Sequence, residues 1–350
     1  MPKRETRPAA ERDPRHDEAV RFCRDVLPAV SRTFALSIKL LSGELGAAVR
    51  CAYLLCRIAD TIEDEPALAA PAKAELLDAF VRCFDDTAAA DRFSQRTAGL
   101  RGDDAHLRLL ANTGLVFVAY RALGEASRAH LRRWVTEMVG GMRRFVLTHP
   151  AGIRIQTLEE YKEYCYYVAG TVGYLLTDLW HEHEPRIGLR EHTMLRERCG
   201  AFGEALQTVN ILKDVARDAE HENSIYIPEQ VLRSHGSAHA TILTTDHRAQ
   251  TRAALATLVQ LAWRDLDDAT TYLLMIPRRA VAIRLFCALP LLFAYATLRD
   301  LTRADTGPLT GQAIKISRRE VRSITARSIL SVWSNRALSR LVERTRTKPA

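Results

Sequence analysis

Asn210-Ile-Leu-Lys-Asp-Val-Ala-Arg-Asp218 is the stretch whose reading decides the fold. Asn210, Asp214 and Asp218 recur every four residues, so on a helix they stack on one face, turn above turn. Gln207 precedes them on the same side. Carboxylates at this spacing repel by about a few tenths of a kcal/mol per pair. Either water screens them or a cation lies between them. A second stretch, from Tyr53 to Glu65, answers the first: Tyr53, Arg57, Asp60 and Asp64 form another stripe at helical spacing, with Glu63 beside it. Both are embedded in apolar sequence, Cys-Ala-Tyr-Leu-Leu-Cys in one and Leu-Gln-Thr-Val-Asn-Ile-Leu in the other. A solvated acidic face is the plain alternative. Apolar flanks weigh against it, because acids on a buried helix need a partner. Hard carboxylate oxygens suit Mg²⁺, which is commonly shared between protein carboxylates, waters and substrate phosphates. Two such helices facing across a cavity would hold a diphosphate through several ions.

The rest of the chain reads as helix. In 350 residues there are only 17 Gly and 13 Pro, and no alternating run of useful length appears. Helices are predicted over 17–30, 45–62, 72–85, 105–122, 127–144, 157–180, 195–220, 249–274 and 278–301. Ser31 is placed to cap a helix that follows it, and Thr157-Leu-Glu-Glu160 opens another as a capping box. With no repeat and no interior linker, one helical domain over 17–335 is expected, between a disordered tail at 1–16 and a basic tail at 336–350. Gly170 and Gly173 each cost a helix roughly 1 kcal/mol relative to alanine. Close helix packing or floor space for a bulky apolar ligand would each account for them.

Composition narrows the partners. The formal charge of +8 favours anionic ones: phosphorylated substrates, anionic lipid or nucleic acid. No zinc finger, aromatic RNA-binding pattern or basic zipper is present, so nucleic acid is not expected. The seven scattered cysteines show no paired zinc spacing and suggest a reducing, cytoplasmic compartment. Residues 1–18 are charged and have no apolar core, so no secretory leader is expected. The most apolar run, 285–298, contains Pro290 and is shorter than the roughly 20 residues a bilayer requires; it reads as a core helix. After Ser317 the sequence is strongly basic, with Ile329, Leu330, Val332 and Trp333 interspersed. A solvated surface helix and a membrane-surface contact are the two readings of that stretch.

Four motifs in order resemble the squalene/phytoene synthase family of head-to-head prenyltransferases. They are Ser31-Arg32-Thr33-Phe34, Arg57-Ile-Ala-Asp60-Thr-Ile-Glu63-Asp64-Glu65, Tyr164-Cys-Tyr-Tyr-Val-Ala-Gly170, and Gln207 through Asp218. The resemblance runs from about residue 20 to 320. Phe286-Cys-Ala-Leu-Pro290 and Gly311-Gln-Ala-Ile-Lys315-Ile-Ser-Arg-Arg319 are similar to the squalene-type members. It implies an all-α isoprenoid-synthase bundle around a central cavity. It also implies Mg²⁺ held by Asp60, Glu63, Asp64, Asn210, Asp214 and Asp218, with Arg32, Arg57 and Lys213 adding fixed positive charge. Ser31, Arg32, Phe34, Val168, Ala169, Val172, Gly173, Gln207, Lys213, Phe286 and Pro290 would contact substrate. Tyr164, Tyr53 and Arg57 would be the catalytic side chains. The implied reaction joins two farnesyl diphosphates through presqualene diphosphate to squalene.

Hydride from NADPH would end it, with Lys315 and Asn223 as contacts; no Gly-rich dinucleotide fingerprint exists, so the resemblance alone implies that cofactor. Phytoene or dehydrosqualene synthesis, which needs no hydride, is the alternative enzyme reading, and a non-catalytic scaffold the alternative of another class. The chain departs from the family in three places: Arg217 where an acid is usual, Lys213 where arginine is common, and Asn223 where arginine is usual. Lysine keeps the charge but loses the bidentate fork. A product that is an oil also raises the expectation of a peripheral site on the inner membrane surface.

Overall fold

Both stripe-bearing segments fold as long inner helices, and the remaining helices wrap them. The computed structural model describes residues 14–31, 33–304, 309–310 and 314–348. α1 (Pro14–Val30) and the short α2 (Thr33–Ile38) lead into α3 (Gly43–Glu63). Then come α4 (Ala70–Arg82), α5 (Thr87–Thr97), α6 (Asp104–Ala111), α7 (Thr113–Arg121), α8 (Glu125–Thr148) and α9 (Leu158–Cys165). A π-helical turn, Tyr166–Gly170, joins α9 to α10 (Thr171–His183). α11 (Leu189–Arg196), α12 (Cys199–His221) and α13 (Glu229–Ser234) precede the long α14 (Arg248–Met275) and α15 (Val281–Arg303). α16 (Arg318–Ser331) and α17 (Asn335–Thr347) close the chain. Among the described residues β-structure is limited to an isolated bridge between Arg154 and Ile225.

α3 is buried on almost every side: Leu54, Leu55, Ile58, Ala59 and Ile62 are wholly inaccessible. Each such leucine or isoleucine contributes about 1.5–3 kcal/mol relative to exposure, which holds the acidic end of the helix in the interior. α15, at 23 residues, extends beyond the apolar run 285–298 on both sides and is long and apolar enough to cross a membrane. Its apolar window is 83% buried against neighbouring helices, as a core helix requires.

The differences from the sequence reading have local causes. The helix predicted over 105–122 is two, because Asn112 turns its side chain back to donate to the Arg108 carbonyl at 2.8 Å. The helix predicted over 157–180 contains the π-turn, where small residues let two backbones meet. A Cβ on Gly203 of α12 would lie 2.1 Å from the Ala169 carbonyl oxygen, and one on Gly173 would lie 2.0 Å from that of Cys199. Gly173 therefore serves close packing and not a ligand floor. Residues 336–350, set apart as a tail on their charge, are helical through Thr347 and bury Leu338, Leu341 and Val342 at helical spacing. At the other end, α1 begins at Pro14, inside the stretch expected to be disordered.

Candidate active site

The acidic ends of α3 and α12 converge on one recess. On α3, Arg57 donates to the Tyr53 hydroxyl at 3.2 Å and lies 3.4 Å from the Asp60 carboxylate. Tyr53 in turn donates to the Val30 carbonyl at 3.3 Å, which commits its proton. Burial alone would weaken the Arg57 charge, but Asp60 and Tyr53 outweigh it and hold the guanidinium above its ordinary range. The Arg57 Nε and Glu63 Oε1 are buried without a hydrogen-bond partner. Unpartnered buried polar atoms are costly and mark a place prepared for something else.

The carboxylates push one another up. Asp60 keeps 24% of its side-chain surface open, yet it is recessed enough for burial to raise its pKa, with Arg57 opposing. Burial, Asp64 and Asp60 raise Glu63; burial, Glu222 and Asp60 raise Asp64. Burial, Glu222, Asp214 and Asp64 push Asp218 up to about 8. These mutual effects link both helices in one acidic field that Arg57, Lys213 and Arg217 offset only in part. Lys73 of α4 donates to the Glu63 backbone carbonyl and partly offsets that field. Glu65, last in its motif, is committed elsewhere: its carboxylate accepts from the backbone N–H groups of Ala67 and Arg101 at 3.0 and 2.9 Å.

Among the described residues no three carboxylate or imidazole side chains close around a single point as a metal cage. The acids instead line facing walls. That is the donor set Mg²⁺ uses when one or two carboxylates and the substrate phosphates share its coordination. The orphaned Glu63 oxygen and the raised Asp64 and Asp218 carboxyls fit such an ion.

Beside the acids opens a cavity of about 960 Å³, at the upper end of the roughly 300–1,000 Å³ typical of small-molecule sites. Arg57, Tyr53, Asn210, Lys213 and Lys315 line its polar side, and Phe34, Leu206, Val209, Pro290 and Phe293 its apolar side. Ser31 borders it and caps α2, its hydroxyl accepting from Phe34 N–H at 3.1 Å. Lys213 pairs with Asp214 at 2.9 Å. Val168, Ala169, Val172 and Gln207 are half-buried outside the lining of this cavity. Phe286, expected on the wall, packs edge-on against Trp180 in the core, 5.2 Å between ring centroids. Arg32 lies outside the described residues. Asn223, expected to meet a cofactor, is committed to its loop: its side chain donates to the Ala151 carbonyl and accepts from Arg154 at 2.7 Å. Its φ of +50° is one asparagine tolerates better than arginine does.

Four neighbours escaped the sequence reading. Glu222 continues the stride of four from Asp214 and Asp218, a signal that was there to follow. Lys73 comes from a different helix. Arg154 stands at the loop where the family's arginine is missing, its guanidinium donating to the Asn223 carbonyl at 2.6 Å. Tyr226 stacks on the buried Tyr164, with centroids 4.8 Å apart. Burial, Glu63 and Tyr226 hold the Tyr164 hydroxyl well above its ordinary pKa.

With this geometry in hand, residues 27–320 match the family model described as squalene/phytoene synthase. The chain belongs to the squalene/phytoene synthase family. Squalene synthase of Schizosaccharomyces pombe is 28% identical over 306 residues, covering 85% of this chain and 64% of that protein. Squalene synthase 1 of Arabidopsis thaliana is 26% identical over 279 residues, covering 79% and 64%. The chain thus spans a little under two thirds of the length of these curated relatives. A solved complex of TcSQS with the ligand BPH1237 superposes with a TM-score of 0.82 at 26% identity, covering 94% of this chain and 90% of that one. A ligand complex of a dehydrosqualene synthase shares the fold at a TM-score of 0.63 and 20% identity, covering 89% and 95%. The isoprenoid-synthase bundle expected from the motifs is the fold observed.

Proposed function

We propose that the protein condenses two farnesyl diphosphates head to head through presqualene diphosphate and reduces the product to squalene. The observation that carries this reading is the acidic cluster of α3 and α12, joined through the Arg57–Asp60 and Lys213–Asp214 pairs to a large apolar-sided cavity that Arg57 and Lys213 line.

An allylic diphosphate leaves only as its charge is neutralised. Asp60, Glu63, Asp64, Asn210, Asp214 and Asp218, with Glu222, are the side chains that would hold Mg²⁺. When bound, the ion supplies Lewis-acid neutralisation of the departing diphosphate. Arg57, its fork held by Tyr53 and Asp60, adds fixed positive charge at the same oxygens. Phe34, Leu206, Val209 and Pro290 keep water from the carbocation and orient the second prenyl chain. Closure of the cyclopropane releases a proton. Tyr164 is neutral and too weak a base to take it directly, with its pKa held above the usual value near 10. It relays instead, alongside Tyr226, toward the carboxylates of Glu63 and Asp64. NADPH, when bound, supplies the hydride that ends the sequence. Lys315 at the cavity wall is the residue suited to a cofactor phosphate, and Asn223 is not.

A second reading, dehydrosqualene synthesis, is favoured by one observation: the loop position usually held by arginine carries an asparagine whose amide is engaged by Ala151 and Arg154 of the neighbouring loop. Substrate choice tests the first half of the proposal. With Mg²⁺, farnesyl diphosphate should give a C30 product, and geranylgeranyl diphosphate should be turned over far more slowly. Preference for geranylgeranyl diphosphate would make the enzyme a phytoene synthase.

A further inference from the structure

The charge of this chain is not spread evenly. Residues 314–348 carry ten Lys and Arg against two acids, Glu320 and Glu343, so this last stretch alone accounts for the +8 of the whole chain. Arg319, Arg327, Arg336, Arg340 and Arg344 are all exposed on α16 and α17. At the corner where the two helices meet, three large apolar side chains stand in water: Ile329 is 50% exposed, Leu330 81% and Trp333 61%. The other exposed large hydrophobics among the described residues, Leu36, Leu147 and Leu189, are scattered singly along the chain.

The corner is built and held. Val332, between the exposed residues, is 1% exposed, and its carbonyl accepts from Nε of Arg284 at 2.9 Å. Arg284 is wholly buried; its other donors reach the Ile276 carbonyl and Asn335 Oδ1. Asn335 in turn donates to the Leu274 carbonyl at 3.0 Å. A desolvated guanidinium committed to backbone carbonyls fixes the turn from beneath, so Leu330 and Trp333 are presented outward with little freedom to fold back. Rigid presentation lowers the ordering cost of any contact they make.

We propose that the α16–α17 corner docks the protein on the surface of an anionic lipid bilayer. Ile329, Leu330 and Trp333 enter the interface, and the arginines of both helices meet headgroup phosphates. Charge complementarity selects an anionic surface. The apolar tip selects lipid over nucleic acid, because an indole beside leucine and isoleucine at a basic rim sits well at headgroup level. α16 also joins the corner to the substrate cavity: Arg318, Val321 and Arg322 in its first turns line the wall, and Leu330 lies roughly 14 Å further along the axis. Docking therefore sets the distance between bilayer and cavity whichever prenyl product is made.

Co-sedimentation with vesicles of mixed phosphatidylglycerol and phosphatidylcholine, and with phosphatidylcholine alone, tests this. The protein should bind the anionic vesicles at low salt, with tryptophan emission moving to the blue, and release them at high salt. Leu330→Glu with Trp333→Glu should weaken partitioning at least about tenfold, as should Arg336→Gln with Arg340→Gln. Thermal melting should be unchanged in both, and Trp333→Phe should bind vesicles without the emission shift. An apolar double variant that binds like the wild type, or an emission spectrum indifferent to vesicles, would overturn the proposal. Displacement of vesicles by duplex RNA, with vesicle binding insensitive to Leu330→Glu, would reassign the basic face to nucleic acid.

Discussion

Asp64 near the end of α3 and Glu222 at the end of α12 act on one another across the recess: after burial, Glu222 is the largest influence raising the Asp64 carboxyl. The two helices therefore bring carboxyls together where burial and mutual repulsion oppose ionisation until a cation is added. Glu222→Gln should relieve this in the metal-free protein, raising Tm on the order of 2 °C. The same change should weaken the stabilisation given by Mg²⁺ with pyrophosphate. Differential scanning fluorimetry with and without both additions checks each half; a lower Tm in the metal-free variant would contradict the like-charge account.

Asp218 sets a pH dependence. Its folded pKa is raised from 3.8 to about 8, so between those values the folded state holds a proton that the unfolded chain has lost. The unfolded state then binds fewer protons, and stability falls as pH rises through that window. Metal-free protein should melt at a lower temperature at pH 8 than at pH 6. Mg²⁺ with pyrophosphate, which favours the ionised form, should stabilise more at pH 8. Equal gains at both pH values would remove Asp218 from the metal-binding set.

Asp60→Asn and Asp214→Asn should each lower turnover by roughly a hundredfold or more while leaving the circular dichroism spectrum and melting cooperative. Each keeps the shape of the side chain and removes the charge that holds an ion. Wild-type rates in either variant, or full activity in excess EDTA, would reject the metal assignment.

How much of this was visible in the chain depended on distance along it. The stripes on α3 and α12 were legible because a stride of four nearly matches the helical period, and burial of Leu54 to Ile62 confirms the apolar flanks. Glu222 is legible by the same stride, just past the end of the helix. Lys73, Tyr226 and Arg154 were not, since only tertiary folding brings α4 and the loop after α12 to the recess. The π-turn was hidden too: it lies where the Ala169 backbone closely approaches Gly203 of α12, a residue distant in sequence. α17 was misread because its arginines dominate the composition, while Leu338, Leu341 and Val342 carry a narrow buried stripe.

The close approach at that π-turn is itself testable. Gly203→Ala would place a Cβ against the Ala169 carbonyl and force the π-turn away from α12, costing about 1–3 kcal/mol. Chemical denaturation should show this as a lower midpoint with an unchanged slope. Gly140→Ala, where no atom lies within 4 Å of the added Cβ, is the control and should be neutral or mildly stabilising.

The central claim is that the acidic walls serve a reductive head-to-head condensation. Its most direct test is incubation with farnesyl diphosphate and Mg²⁺, with and without NADPH, followed by mass spectrometry of the lipid extract; Lys315→Ala is run in parallel. The account predicts squalene with NADPH and presqualene diphosphate without it. For Lys315→Ala it predicts an apparent KM for NADPH raised about tenfold, the loss of one charge-assisted hydrogen bond, and unimpaired presqualene diphosphate formation. The same C30 hydrocarbon with and without NADPH would contradict it.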